Sequence, residues 1–193
     1  MTQRLKLVAV SGGLQRPSRT LALVDAIVAA LAERVPIDLH LVELGQIAPQ
    51  IGATFDRSRL SAVVQAHLRA IEGADVLVVA SPVFRGSYSG LFKHLFDLIG
   101  AEALVDVPVL LAATGGSDRH ALVIEHQLRP LFAFFQARTL PIGVYASARD
   151  FADYEVSSSA LRDRIALAAE RAAPWLSPRP SVAKQAELER LAV

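Results

Sequence analysis

Ala9-Val10-Ser11-Gly12-Gly13-Leu14-Gln15-Arg16-Pro17-Ser18-Arg19-Thr20 is the stretch around which this chain is organised. An apolar run, Leu5–Val10, leads into it, and an amphipathic run, Leu21–Leu31, follows. A strand, a Gly-Gly turn rich in hydroxyls and arginine, and then a helix start make an anion site. The first N–H groups of a helix have no partner within it, and the helix dipole adds partial positive charge there. Ser11, Ser18 and Thr20 can give hydroxyls to phosphate oxygens, and Arg16 and Arg19 can add charge-assisted bonds. Ser18, with Pro17 before it, is placed to cap the helix. A βα turn that needs only glycine and a cap would carry the same local signals. The stretch is not a Walker loop, because no Gly-Lys-Ser/Thr follows, and it lacks the G-x-G-x-x-G of a dinucleotide fingerprint.

Outward from this stretch, short apolar runs alternate with longer helical patterns. The strands expected are Leu5–Val10, Ile37–Leu44, Val76–Ala80, Val107–Ala113 and Thr139–Tyr145. Ile37, Leu39 and Leu41 alternate with Asp38 and His40, which predicts an edge strand with one wet face. Val76–Ala80 and Val107–Ala113 are continuously apolar and are expected in the middle of the sheet, with Pro108 tolerated at a strand start. Helices are expected near 18–34, 58–72, 88–100, 118–138 and 157–175, and Gly45–Phe55 is expected to be a loop. Strands alternating with helices predict an α/β fold, a three-layer sandwich with helices on both faces of a parallel sheet. Five such units fit the flavodoxin-like strand order 2-1-3-4-5, with the ligand crevice between strands 1 and 3. Residues 1–176 are expected to form this single domain, and 177–193, with Pro178 and Pro180, a carboxyl tail.

The 193 residues suffice for one full core. A net charge of +1 gives no ground for a nucleic-acid partner. The absence of cysteine removes disulfides, thiol redox chemistry, iron–sulfur clusters and cysteine-zinc sites together. No metal site is expected. No apolar run approaches the roughly 18 to 20 residues that span a bilayer, and no leader pattern precedes Leu5, so a cytoplasmic protein with no membrane partner is expected.

A parallel sheet delivers its strand ends to one edge, so the loops after strands 1, 3 and 4 should meet. The loop after strand 3 is Ser81-Pro82-Val83-Phe84-Arg85-Gly86-Ser87-Tyr88-Ser89-Gly90, with Phe84 and Tyr88 offering flat apolar surface. The loop after strand 4 is Thr114-Gly115-Gly116-Ser117, whose exposed N–H groups can face developing negative charge. A phosphate site, an aromatic wall and a second nest of donors suit a planar, phosphorylated heterocycle such as FMN. Singly, each loop could be ordinary βα punctuation.

These three loops, together with His120-Ala-Leu-Val-Ile-Glu-His-Gln-Leu-Arg-Pro130 on the fourth helix, resemble the NAD(P)H-dependent FMN reductases. The likeness is greatest to the reductase components of two-component alkanesulfonate and methanesulfonate monooxygenase systems, and it covers residues 5 to about 175. Phe84 stands where that family more usually has Tyr. The resemblance implies FMN and a reduced nicotinamide, NADPH or NADH, with hydride passing from nicotinamide C4 to flavin N5. It implies that reduced FMN leaves for a separate FMN-dependent monooxygenase. By position, Ser11, Arg16, Ser18, Arg19 and Thr20 should hold the phosphate, and Pro82, Val83, Phe84 and Arg85 should line the ring and its N5 edge. Gly115 and Gly116 should face N1 and O2, and Ser87 and Thr114 complete the expected contact set. No side chain need act as acid or base. An NAD(P)H quinone or azo reductase would use the same site with another acceptor; a non-enzymatic flavodoxin-like carrier would share fold and cofactor.

Pro130 lies inside a helical pattern and lacks an N–H, so the carbonyl of His126 loses its usual partner. A π-bulge can absorb that defect, and the resemblance implies one here, with His126 as a gating residue at a subunit interface; a simple kink at Pro130 is the alternative. Leu91, Phe92, Leu95, Phe96, Leu98 and Ile99, with Leu131, Phe132, Phe134 and Phe135, exceed what one sheet face is expected to bury, which predicts a homodimer or homotetramer. His94 and Asp97, one turn apart, read as a surface or interface pair rather than metal ligands. His40 and His67 read as solvated, and Lys93 as a solvated lysine or a nucleotide contact. Arg149, Asp150, Phe151, Asp153 and Tyr154 are expected on the ligand edge, as a lid or an oligomer contact.

Overall fold

The computed structural model describes residues 4–177. The tail expected over 177–193 therefore lies, beyond Ser177, outside the described residues.

The sheet has the order β2-β1-β3-β4-β5, with β6 also on β4, and every pairing in it is parallel. Its strands are β1 (Leu5–Ser11), β2 (Ile37–Glu43), β3 (Val76–Pro82), β4 (Pro108–Gly115), β5 (Arg138–Thr139) and β6 (Val144–Ser147). β3 and β4 are buried along nearly their whole length, as continuous apolar runs between two helical layers should be. α1 (Arg19–Ala32) and α6 (Ser159–Ala172) cover one face, where Leu23, Ile27, Leu31 and Ile165 meet Leu7, Val78 and Leu110. α3 (Ala62–Glu72), α4 (Gly90–Asp97) and α5 (Arg129–Phe134) cover the other, where Leu68, Phe92, Phe96 and Phe132 meet Val10, Val79 and Leu111. Serines start four of these helices: Ser18, Ser61, Ser89 and Ser158 each accept a first-turn N–H, from Leu21, Val64, Phe92 and Leu161.

Several expectations are corrected. The stretch Gly45–Phe55 is not all loop: Leu44–Ile51 forms α2 despite Gly45 and Pro49, because Leu44, Ile47 and Ile51 recur at helical spacing and are buried. Burial overrides poor local propensity there. The fifth strand is not continuous. Residues 140–143, with Pro141, interrupt it, so β5 pairs with the start of β4 and β6 with its end. Leu39 on β2 is 47% exposed, and His40 is half-buried because its Nε2 lies 2.9 Å from His67 Nδ1. Neither imidazole is simply solvated, and burial together with His40 pushes the His67 pKa down. His94 does not pair with Asp97. Its Nε2 sits 2.7 Å from the Ile51 carbonyl and 3.0 Å from that of Thr54, pinning the chain after α2, while Asp97 takes Lys93.

The aromatic surplus expected to need a second subunit is mostly absorbed within one chain. Phe92, Leu95, Phe96 and Phe132 are fully buried, and Leu98, Ile99 and Phe135 nearly so. Phe96 sits at the middle, with ring centroids 5.0 Å from Phe92 and 4.9 Å from Phe132. Of the ten apolar residues counted, Phe134 stays widely exposed, at 68%. The two helices therefore face the sheet more completely than a one-face estimate allows.

Candidate functional site

The carboxyl ends of β1, β3 and β4 converge on a cavity of about 430 Å³, within the size range of small-molecule sites. Its phosphate-loop wall is Gly13, Leu14, Gln15, Pro17, Ser18, Arg19 and Thr20; Pro82, Val83 and Phe84 form a second wall, and Thr114, Gly115 and Gly116 a third. Tyr154 completes it.

Backbone and hydroxyl bonds lock the walls together. The Gly12 N–H donates to the Ala80 carbonyl at 2.7 Å, which ties the first loop to β3. The Val83 N–H donates to the Thr114 carbonyl at 2.7 Å, which ties the second loop to the third. Thr20 and Thr114, both buried, share a hydroxyl hydrogen bond of 2.7 Å across the cavity floor. Gly12 has no room for a side chain: a Cβ there would lie 2.9 Å from the Ala80 carbonyl oxygen and 2.9 Å from the Phe92 ring. Gly115 has less, since its Cβ would lie 2.1 Å from the Tyr145 hydroxyl, which donates to the Ser117 carbonyl and braces the loop.

The loop after β3 ends in a tight reversal. Phe84 and Ser87 exchange backbone hydrogen bonds of 2.8 and 3.1 Å, and between them Arg85 and Gly86 both have positive φ, 51° and 87°. That is the primed two-residue turn, with Arg85 in a conformation that favours glycine. Phe84 is left half-exposed at the cavity mouth.

Of the residues expected at the site, Ser18, Arg19, Thr20, Pro82, Val83, Phe84, Thr114, Gly115 and Gly116 line this cavity. Four do not. Ser11 is buried and, with Arg16, lines a smaller neighbouring cavity of about 140 Å³. Arg16 is held by Glu43, its Nε 2.8 Å from the carboxylate, and this pairing raises its pKa. Arg85 points no atom into the cavity wall, and Ser87 donates its hydroxyl to Gln127 Oε1 at 3.0 Å. Glu43 and Gln127 carry no signal in the sequence, because each acts through a partner distant along the chain. The lid residues are partly placed: Tyr154 lines the cavity, whereas Arg149 pairs with Asp118 and Asp150 accepts the Ser147 N–H and hydroxyl at 2.7 and 2.9 Å.

Gln127 belongs to a π-helix, Ile124–Leu128, that runs directly into α5. The Arg129 N–H reaches back five residues to the Ile124 carbonyl, one residue before Pro130, which has no N–H to offer. The widened turn expected around His126 is therefore present, and His126 is exposed on it. Through Ser87–Gln127 it is bonded to the Phe84–Ser87 turn. Among the described residues no group of three or more His, Asp or Glu is placed to hold a metal ion, and no helix is long and apolar enough to cross a membrane.

The family model described as NADPH-dependent FMN reductase matches residues 5–152. The NADH-dependent FMN reductase SfnF of Pseudomonas fluorescens is 64% identical over 174 residues, which cover 90% of this chain and 93% of the relative. A Pseudomonas aeruginosa protein named FMN reductase (NADPH) is 60% identical over 184 residues, 95% of this chain and 99% of the relative. The solved structure of an NADH:FMN oxidoreductase in its apo form superposes with a TM-score of 0.81 at 26% identity, covering 90% of this chain and 91% of that one.

Proposed function

The chain belongs to the NADPH-dependent FMN reductase family, flavin reductases that use a reduced nicotinamide, and from that premise we propose that the reduced FMN it makes leaves for a separate FMN-dependent monooxygenase. One observation carries the site assignment: three loop ends meet around one cavity, with a helix N-terminus and hydroxyls at one end and an aromatic wall facing two glycines at the other. FMN fits this donor set. Ser18, Arg19, Thr20 and the free N–H groups of the first turn of α1 hold the phosphate. Pro82, Val83 and Phe84 bear on one side of the ring, and the Gly115 and Gly116 N–H groups lie where negative charge would grow. Bound FMN supplies the ring that accepts a hydride from the nicotinamide; the chain supplies position and electrostatics. Ser11, Arg16, Arg85 and Ser87 lie outside this lining, Arg16 paired with Glu43 and Ser87 with Gln127. The nicotinamide is NADH or NADPH, since the relatives are named for both. Steady-state oxidation of each with FMN, FAD, riboflavin and a quinone tests the reading. FMN is expected to be the best acceptor, and a preference for quinone would overturn it.

Release of the product is the part that the π-helix serves. His126 sits on a widened turn that is bonded through Gln127 to the Phe84–Ser87 turn, so a shift of the helix reaches the ring end of the cavity. In a homodimer or homotetramer, His126 would reach across to the partner's site and loosen FMN there. The exposed His126 and Phe134 on this segment support such an interface. Deleting His126 is expected to restore α-helical spacing and give a yellow protein that keeps FMN and turns it over slowly. A colourless deletion protein that reduces free FMN at the wild-type rate would exclude this role.

A further inference from the structure

After β6 the chain forms a small antiparallel hairpin, β7 (Phe151–Ala152) and β8 (Glu155–Val156), joined only by Asp153 and Tyr154. Both linking residues have positive φ, 47° and 63°. This is the primed hairpin turn that Asn-Gly ordinarily fills. An aromatic residue there is uncommon, and such conformations persist where the surroundings hold them. The hairpin base is well held. The Asp150 carbonyl accepts the N–H groups of Ser157 and Ser158 at 2.9 and 3.2 Å, and Phe151 and Val156 pack on the core beneath α1.

The turn places Tyr154 at the phosphate-loop end of the cavity, with the Arg19 guanidinium carbon 5.4 Å from its ring centroid. Tyr154, Pro17 and Ser18 also line a second cavity of about 510 Å³, together with Arg16 and Asp25. Tyr154 thus stands between the place where the phosphate is expected and the space beyond it.

We infer that Tyr154 is a specificity-determining residue for the flavin: its ring closes the phosphate end of the cavity, admitting the mononucleotide and excluding flavins that carry an adenylate on that phosphate. The inference rests on the placement of the phosphate at Ser18–Thr20. The barrier is steric. The ring, held over Arg19 by a cation–π contact, borders both the phosphate-loop end of the first cavity and the space beyond it. The second cavity carries Arg16 as well as Asp25, so its charges do not by themselves turn away a second phosphate.

The test is the dissociation constant of the apoprotein for FMN and for FAD, read by quenching of flavin fluorescence. Tyr154→Gly and Tyr154→Asn both suit the left-handed turn, so the hairpin is kept while the ring is lost. Wild type is expected to prefer FMN, and the FAD-to-FMN ratio of dissociation constants to fall by about tenfold in both variants, through tighter FAD binding. An unchanged ratio in both Tyr154 variants, or a ratio that falls only because FMN is lost, would overturn the inference. Equal affinity of wild type for FMN and riboflavin would instead overturn the phosphate placement on which it rests.

Discussion

FMN is expected to bind this protein about 30- to 1000-fold more tightly than riboflavin, a difference of roughly 2–4 kcal/mol, because the two flavins differ only in the phosphate. In the proposed placement the phosphate would meet the first turn of α1, where Ser18 already uses its hydroxyl oxygen to accept the Leu21 N–H and can still donate. Thr20 shares its hydroxyl with Thr114, so its bond to a phosphate would also order the loop after β4. Arg19 lies over Tyr154 at the same end. Fluorescence-quenching titrations of the apoprotein with each flavin measure the difference directly. Equal affinities would mean that the Ser18–Thr20 turn is only a well-capped helix start.

Phe96→Ala is expected to cost about 3–5 kcal/mol of unfolding free energy, the range for losing a fully enclosed aromatic ring. Phe96 is 0% exposed and is ringed by Phe92, Phe132 and Phe135. Phe134→Ala, on the neighbouring helix but 68% exposed, is expected to change stability by no more than about 0.5 kcal/mol in a monomer. Urea denaturation of the two variants separates a protomer core from an intersubunit one. Similar costs for both would mean that subunit association, and not the single chain, holds this cluster.

Much of the fold was legible because its signals are local and redundant. Val76–Ala80 and Val107–Ala113 are apolar without interruption, as strands buried on both faces should be; the first lies within β3, and all of the second but Val107 within β4. Ser18 marks the start of α1 in the sequence itself, and the structure adds Ser61, Ser89 and Ser158 as caps of the same kind. What escaped depended on distant partners. α2 forms because Leu44, Ile47 and Ile51, though at helical spacing, find a core made of other elements, and Gly45 and Pro49 mask that spacing in the sequence. His40 meets His67 across 27 residues, and Ser87 meets Gln127 across 40. The site divided along the same line. Gly115, Gly116, Pro82 and the cap of α1 follow from backbone geometry, and all four line the cavity. Arg16 looked like a phosphate ligand by composition, yet Glu43, at the end of the adjacent strand, holds it.

The interrupted fifth strand has a consequence for how these molecules behave in a crowd. An unbroken outer strand would offer a neighbouring chain a continuous ladder of free amides and carbonyls on which to build. Here that border is two short pieces, two and four residues long, parted by a segment containing Pro141, so an incoming strand would find footing for a bond or two and then none. The opposite border, β2, is seven residues long and unbroken, with Leu39 facing out. Among the described residues, templated aggregation of this sheet is therefore open from one side only, and there the side chains of Asp38 and His40 flank Leu39 along β2.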